Sequence, residues 1–481
     1  MTTSSQTESP ESFRDTLATI DSKGKRVWVY PTKPKGKFYT GRTIVSYLLL
    51  AFLFGAPFVR IEGNPLLLFD ILHRQFFIFG LIFWPQDLYL FVLAAITLAV
   101  LIILFTAAFG RLFCGWVCPQ TVFMEMVFRK IEYLIEGNGP RQRELDHAPM
   151  SGIKLFKKAL KHTFFLAISF AIGNTFLAYF IGADTLYRII TDSPVNHLSG
   201  LFFMILFSLI FYGVFARFRE QACTLVCPYG RLQSVLLDSN SIVVAYDFKR
   251  GEPRGPIVKS PDHATKGDCI DCLACVKVCP TGIDIRNGTQ LECVNCTACI
   301  DACDRVMARV NLPLGLIRYS SYNNITHGLR MKFTPRMMLY TAILVVLTIV
   351  IAMLMFNRKE VETTVLRATG SLYVELENGS IRNLYTVSVA NKTSHELPVE
   401  LRLKSPHGEL AVVGPRLEVK PHGLSESVFD VEIPRRELFT ANTLIAIEVL
   451  SNGKLIQEIR TTFVGPEPGK SHKENHDEHK H

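Results

Sequence analysis

Beyond Cys303 the chain carries no cysteine; all 12 lie between Cys114 and Cys303. The C-terminal third therefore has neither a disulfide framework nor a thiolate metal site. No Ser/His/Asp arrangement, phosphate-cradling glycine loop or dinucleotide fingerprint is present, so hydrolase, nucleotide, flavin and nicotinamide readings have no residues behind them. The first 42 residues lack the apolar core and small-residue cleavage site of a secretory leader, and the first apolar segment is expected to act as an uncleaved anchor. Lys and Arg are scarce after the first and third apolar segments, where Arg74 and Arg188 stand, and dense elsewhere. The net charge of +9 follows from 52 basic against 43 acidic residues. It tracks these flanks, so no nucleic-acid partner is implied.

What is abundant is apolar: 48% of the 481 residues are hydrophobic, with 34 Phe. Five charge-free segments approach the ~20 residues an apolar helix needs to cross a bilayer. They are Thr43 to Val59, Leu88 to Ala108, Thr163 to Ala183, Leu198 to Ala216 and Met337 to Phe356. The basic arm (Lys23, Lys25, Arg26, Lys33, Lys35, Lys37, Arg42) and the loop after span two (Arg111, Arg129, Lys130, Arg141, Arg143, Lys154, Lys157, Lys158) place the N-terminus in the cytoplasm by the positive-inside rule. Five crossings then leave the C-terminal domain outside, in the periplasm of a bacterial inner membrane. Phe76 to Trp84 is apolar but too short to cross, and reads as an interfacial or re-entrant piece.

The organisation expected is a disordered arm (1–42) and two repeated helix pairs (43–216). A ferredoxin domain (217–336, core 260–312), a fifth span (337–356), an extracytoplasmic sandwich (361–465) and a polar tail (466–481) follow. The sandwich rests on alternating runs such as Leu384 to Asn391, Pro398 to Lys404 and Ser427 to Ile433, separated by turns at Asn378-Gly379, His407-Gly408 and Asn452-Gly453. About seven short strands in about 100 residues suggest a disulfide-free immunoglobulin-like fold. The tail carries His472, His476, His479 and His481, a solvated segment with a conceivable metal-capture role. His73, His162 and His197 read as interfacial; Met124, Met126, Met337, Met338, Met353 and Met355 read as packing residues.

The chemistry lies in the cysteines. Cys269, Cys272, Cys275 and Cys279-Pro280 form the spacing of bacterial two-cluster ferredoxins, and Cys293, Cys296, Cys299 and Cys303 repeat it, with Asp304 where proline commonly follows. The fourth ligand in such pairs comes from the other run. One [4Fe-4S] cluster is assigned to Cys269, Cys272, Cys275 and Cys303, the other to Cys293, Cys296, Cys299 and Cys279. Two further pairs, Cys114/Cys118-Pro119 and Cys223/Cys227-Pro228, repeat a Cys-x3-Cys-Pro motif after an apolar span. At i, i+4 on a helix each pair's sulfurs would share a face. Soft thiolates select Cu(I), zinc or an iron–sulfur cluster, and spacing alone leaves all three open.

This ordered combination resembles the CcoG/FixG/RdxA family of cbb3-type cytochrome oxidase accessory proteins. The resemblance covers nearly the whole chain. It implies a polytopic helical membrane protein of five spans with a two-cluster ferredoxin domain and a C-terminal immunoglobulin-like sandwich. It also implies reduction of Cu(II) to Cu(I) for oxidase assembly, with Cys114, Cys118, Cys223 and Cys227 as catalytic copper-site thiolates. The partners implied are membrane lipid, an electron donor the sequence does not name, a copper-exporting P-type ATPase or copper chaperone, and oxidase subunits. Two alternatives stand beside it: a quinol-linked electron-transfer subunit of a periplasmic reductase system, and a non-enzymatic assembly scaffold.

Overall fold

The computed structural model describes residues 18–466 apart from 22, 62, 72–74, 257–265, 330–333, 359–360, 369–371, 394, 414–416 and 422. His73, Arg74 and the four tail histidines lie outside the described residues. The chain forms two compact units, Met1–Ala352 and Met353–His481.

Among the described residues, five helices are long and apolar enough to cross a membrane: Lys37–Phe58, Leu88–Phe109, Gly152–Ile181, Pro194–Phe218 and Pro335–Phe356. Span three begins well before its charge-free run. Ser151 caps it by accepting the Lys154 N–H, and Lys154, Lys157, Lys158 and Lys161 occupy its first turns. Span one begins at Lys37 because the Asp301 carboxylate accepts the free N–H groups of Phe38 and Tyr39.

The segment Phe76 to Trp84 is part of a strand meander. Strands Leu67–Asp70, Gln75–Ile78 and Leu81–Phe83 form an antiparallel meander. A two-residue turn at Phe79-Gly80, both at positive φ, closes the last hairpin. The arm also departs from expectation. From residue 18 onward it packs on the folded unit: Arg26 pairs with Glu220 and covers the Trp28 ring, Tyr30 donates to Asp146, and Thr32 N–H bonds the Lys277 carbonyl. Aromatic anchors spaced among the lysines offset the composition that suggested disorder.

A buried ionic network closes the base of spans three and four. Arg219 forks onto both oxygens of Glu132 (2.9 and 2.8 Å). Arg129 lies 3.2 Å from Glu125 and 3.7 Å from Glu220. Lys158 and Lys161 reach Glu136 at 2.8 and 3.0 Å. Several cations that read as topology signals in the sequence are thus matched partners of buried carboxylates, as burial requires.

Among the described residues of the second unit, nine strands are numbered β1 to β9: Val361–Arg367, Val374–Glu375, Ser380–Asn391, Leu397–Ser405, Glu409–Val413, Leu417–Val419, Leu424–Pro434, Asn442–Ser451 and Lys454–Val464. One sheet runs β5-β7-β3-β1 with β2 on β3; the other runs β6-β4-β8-β9. All pairings are antiparallel. Alternate residues Tyr385, Val387, Val389, Phe429, Val431 and Ile433 face inward with Ile447, Val449 and Phe463 and are fully buried. This is an immunoglobulin-like sandwich filled without cysteine.

Candidate metal centres

The ferredoxin portion hangs on two paired strands, Val243–Tyr246 and Ile317–Ser320, and two helices, Ala274–Lys277 and Ala298–Arg309. Its two cysteine runs fold alike. Asp271 and Leu273 in the first, and Asn295 and Thr297 in the second, adopt φ between 51° and 65°. Non-glycine residues resist that region, and their matched positions show both loops curled the same way. Such alternation of backbone hands turns successive N–H groups inward, a concavity suited to anionic iron–sulfur clusters. The N–H groups of Asn295 and Ala298 bond the sulfurs of Cys293 and Cys296, and those of Thr281, Gly282 and Ile283 bond Cys279.

One enclosed cavity is lined by Cys269, Cys272, Cys275 and Cys303; a second is lined by Cys279, Cys293, Cys296 and Cys299, with Cys275 between the two. The residues therefore fit two clusters, each reached by a cysteine of the opposite run. Apolar walls from Tyr246, Met307 and Ile317 line the first and from Ile283 and Ile285 the second, while Cys272 of the first is exposed.

The Cys-x3-Cys-Pro pairs depart from the i, i+4 helix the spacing suggested. Cys114 sits in the short helix Leu112–Trp116, which stops at Val117, and Cys118 turns to ψ 124° as N-cap of the helix opened by Pro119. Cys227 does the same before Pro228, at ψ 114°. Proline excludes the helical conformation from the residue before it, so each pair straddles a break. π-helical turns Val122–Phe128, Val214–Phe218 and Ala222–Val226 flank the breaks; such turns concentrate at functional sites.

The two turns meet. Gln233, fully buried on the helix after Cys227, donates to Cys114 Sγ at 3.1 Å. Arg111 donates to the Gly230 carbonyl at 2.8 Å, and the Phe113 and Tyr229 rings pack edge to face. Burial pushes the Cys114 thiol up to about 11 and Cys223 up to about 12, with the neighbouring thiols adding to both shifts. Both are neutral thiols at pH 7, so a metal ion binding there must displace their protons. Among the described residues, no three ligating side chains close on one ion. The four sulfurs share a neighbourhood rather than a finished tetrahedral cage.

This neighbourhood abuts the ferredoxin directly, which no spacing in the chain signals. Cys114 packs, as Cys299 does, against the apolar cluster that contains Val294, Cys296 and Ala298. Gly115 lies so close to the Val294–Asn295 backbone that a Cβ there would stand 2.5 Å from the Val294 carbonyl oxygen. Arg42, 3% exposed, donates to the carbonyls of both Gly115 and Cys296 at 2.9 Å. Trp116 donates to the Tyr319 hydroxyl. The guanidinium of Arg111 faces both Cys114 and Cys293. The remaining candidates lie apart: His162 bonds Tyr212, His197 bonds Asp192, and Met124 and Met126 are buried packing residues.

Five apolar spans, paired cysteine cradles of ferredoxin type and a β-sandwich define a membrane-associated iron–sulfur redox protein. A 4Fe-4S dicluster family matches residues 218–322, a 4Fe-4S binding family residues 91–136, and the immunoglobulin-like fold found at the C-terminus of FixG residues 351–466. The chain belongs to the FixG/RdxA family. It is 36% identical to protein RdxB of Cereibacter sphaeroides over 79% of this chain and 83% of that one. It is 36% identical to protein RdxA of the same organism (77% and 81%) and 32% identical to the nitrogen fixation protein FixG of Rhizobium meliloti (81% and 82%).

Proposed function

We propose that this protein reduces Cu(II) to Cu(I) at the four turn thiols, using single electrons held by two [4Fe-4S] clusters. The ligands of the first cluster are Cys269, Cys272, Cys275 and Cys303, and those of the second Cys279, Cys293, Cys296 and Cys299. The observation that carries this reading is the junction at Gly115. There the turn bearing Cys114 rests directly on the loop between Cys293 and Cys296. Cu(II) takes one electron, and the soft Cu(I) product suits thiolates. Gln233 and Arg111 offer a hydrogen bond and a positive charge to Cys114 as its proton leaves. Binding would draw the separated sulfurs inward around the ion.

In this reading the ferredoxin side faces the cytoplasm and the sandwich faces the periplasm. Cu(I) then passes to a copper exporter or chaperone for oxidase assembly.

The family match over residues 91–136 favours a second occupant for the same thiols, a third cluster, because it includes Cys114 and Cys118. Iron analysis separates the two: about eight irons per chain for two clusters, about twelve for three. Adding Cu(II) without oxygen to the reduced full-length protein is expected to yield Cu(I), trapped by a chelating dye, as the visible cluster absorbance returns. Persistence of Cu(II) beside reduced clusters would remove copper as the acceptor.

A further inference from the structure

At the end of span one that carries the N-terminal arm, a cavity of about 620 Å³ lies between that helix and the helix Arg129–Ile135. Tyr39, Thr43 and Tyr47 recur at the four-residue spacing that stacks side chains on one helix face, with Thr40 and Ile44 beside them. Lys130, Tyr133 and Leu134 form the opposite wall, and Lys33 closes the cytoplasmic rim, its backbone tied to Asn138. The Lys130 ammonium stands 4.6 Å from the Tyr47 ring centroid and 5.7 Å from that of Tyr39, and donates to the Tyr47 hydroxyl.

The contrast with the neighbouring network is informative. Arg129, Lys158, Lys161 and Arg219 each have carboxylate partners, whereas among the described residues neither Lys33 nor Lys130 has one. Two ammonium groups and several hydroxyls therefore line a roomy cavity whose flank is apolar. Ile44 is 56% and Leu134 85% exposed.

We propose that this cavity binds the headgroup of an anionic phospholipid. The phosphate sits between Lys33 and Lys130, hydroxyls of Tyr39 and Tyr47 serve its oxygens, and the acyl chains lie along Ile44 and Leu134. Basic pockets at helix ends select acidic headgroups in this way, each lysine contributing near the charged surface. The site is independent of the copper reading and shares no residue with it. Occupying it braces the first turns of span one, whose opposite face carries the Arg42 clamp on Gly115 and Cys296.

The test uses the full-length protein reconstituted into nanodiscs of equal phosphatidylglycerol and phosphatidylcholine, then released into detergent for native mass spectrometry. Phosphatidylglycerol is expected to stay bound to the wild type in preference to phosphatidylcholine. Its retention should fall about tenfold in K33Q/K130Q and persist in K33R/K130R, with visible cluster absorbance unchanged in both. Excess inorganic phosphate should leave retention intact. Equal retention of the two lipids, or full retention by K33Q/K130Q, would overturn the proposal. Displacement of the lipid by free phosphate would also overturn it, assigning the cavity to a soluble anion.

Discussion

Gly115→Ala is expected to slow copper reduction by on the order of 10²-fold while both clusters remain in place. The added Cβ would stand 2.5 Å from the Val294 oxygen and 2.6 Å from the Asn295 oxygen. Both are backbone atoms of the loop between Cys293 and Cys296, so no side chain can swing aside to make room. The turn must lift away from the ferredoxin, carrying Cys114 with it and stretching the Arg42 bonds. A displacement of about 1 Å at a reacting junction is enough for an effect of that size. Stopped-flow recovery of the cluster absorbance after mixing with Cu(II), alongside iron and sulfide content, checks it. Wild-type kinetics at full iron content would show that the junction is not the route.

The second large effect concerns stability. Arg219→Met removes both hydrogen bonds to Glu132 and leaves a carboxylate buried at the base of spans three and four. Breaking one side of such a pair costs about 3–5 kcal/mol. Burial acts to raise the Glu132 pKa, but Arg219, Lys161 and Arg129 outweigh it and hold the group below the ordinary carboxylate value of 4.5. A lowered folded-state pKa contributes stability that is present above the unfolded value and lost as pH falls through the folded one. Without Arg219 the pKa of Glu132 rises, so the variant's deficit should be largest near pH 7.5 and shrink as the pH falls to the ordinary carboxylate value of 4.5. Adding Glu132→Gln should recover most of the loss. Thermal unfolding in detergent at the two pH values reads both. A deficit independent of pH, with no recovery in the double variant, would place the damage elsewhere.

The spans were legible because an uncharged run of about twenty residues has few other uses. The ferredoxin spacing was equally direct, since three cysteines two residues apart can grip one cluster corner. The sandwich followed from strict alternation, and Tyr385, Val387 and Val389 alternate inward as that pattern demands. The i, i+4 helix for Cys114 and Cys118 was misleading because Pro119 acts on the residue before it, a local rule that overrides spacing. Within Phe76 to Trp84 the apolar run masked the Phe79-Gly80 turn that makes the segment a hairpin. Arg42, Gly115 and Gln233 carried no signal, for each acts on residues far along the chain. Arg42 looked like one more topology cation until its two carbonyl partners placed it between span one and the ferredoxin.

The most direct test of the central claim is a single-turnover comparison of the wild type with Cys→Ser variants at 114, 118, 223 and 227. Each protein is reduced without oxygen, matched for iron content, and mixed with one equivalent of Cu(II). The wild type is expected to yield Cu(I) as its clusters reoxidise, whereas the variants keep both clusters reduced and leave Cu(II) in solution. Cu(I) formed at the wild-type rate by all four variants would contradict it, because the turn thiols would then not be where copper is reduced.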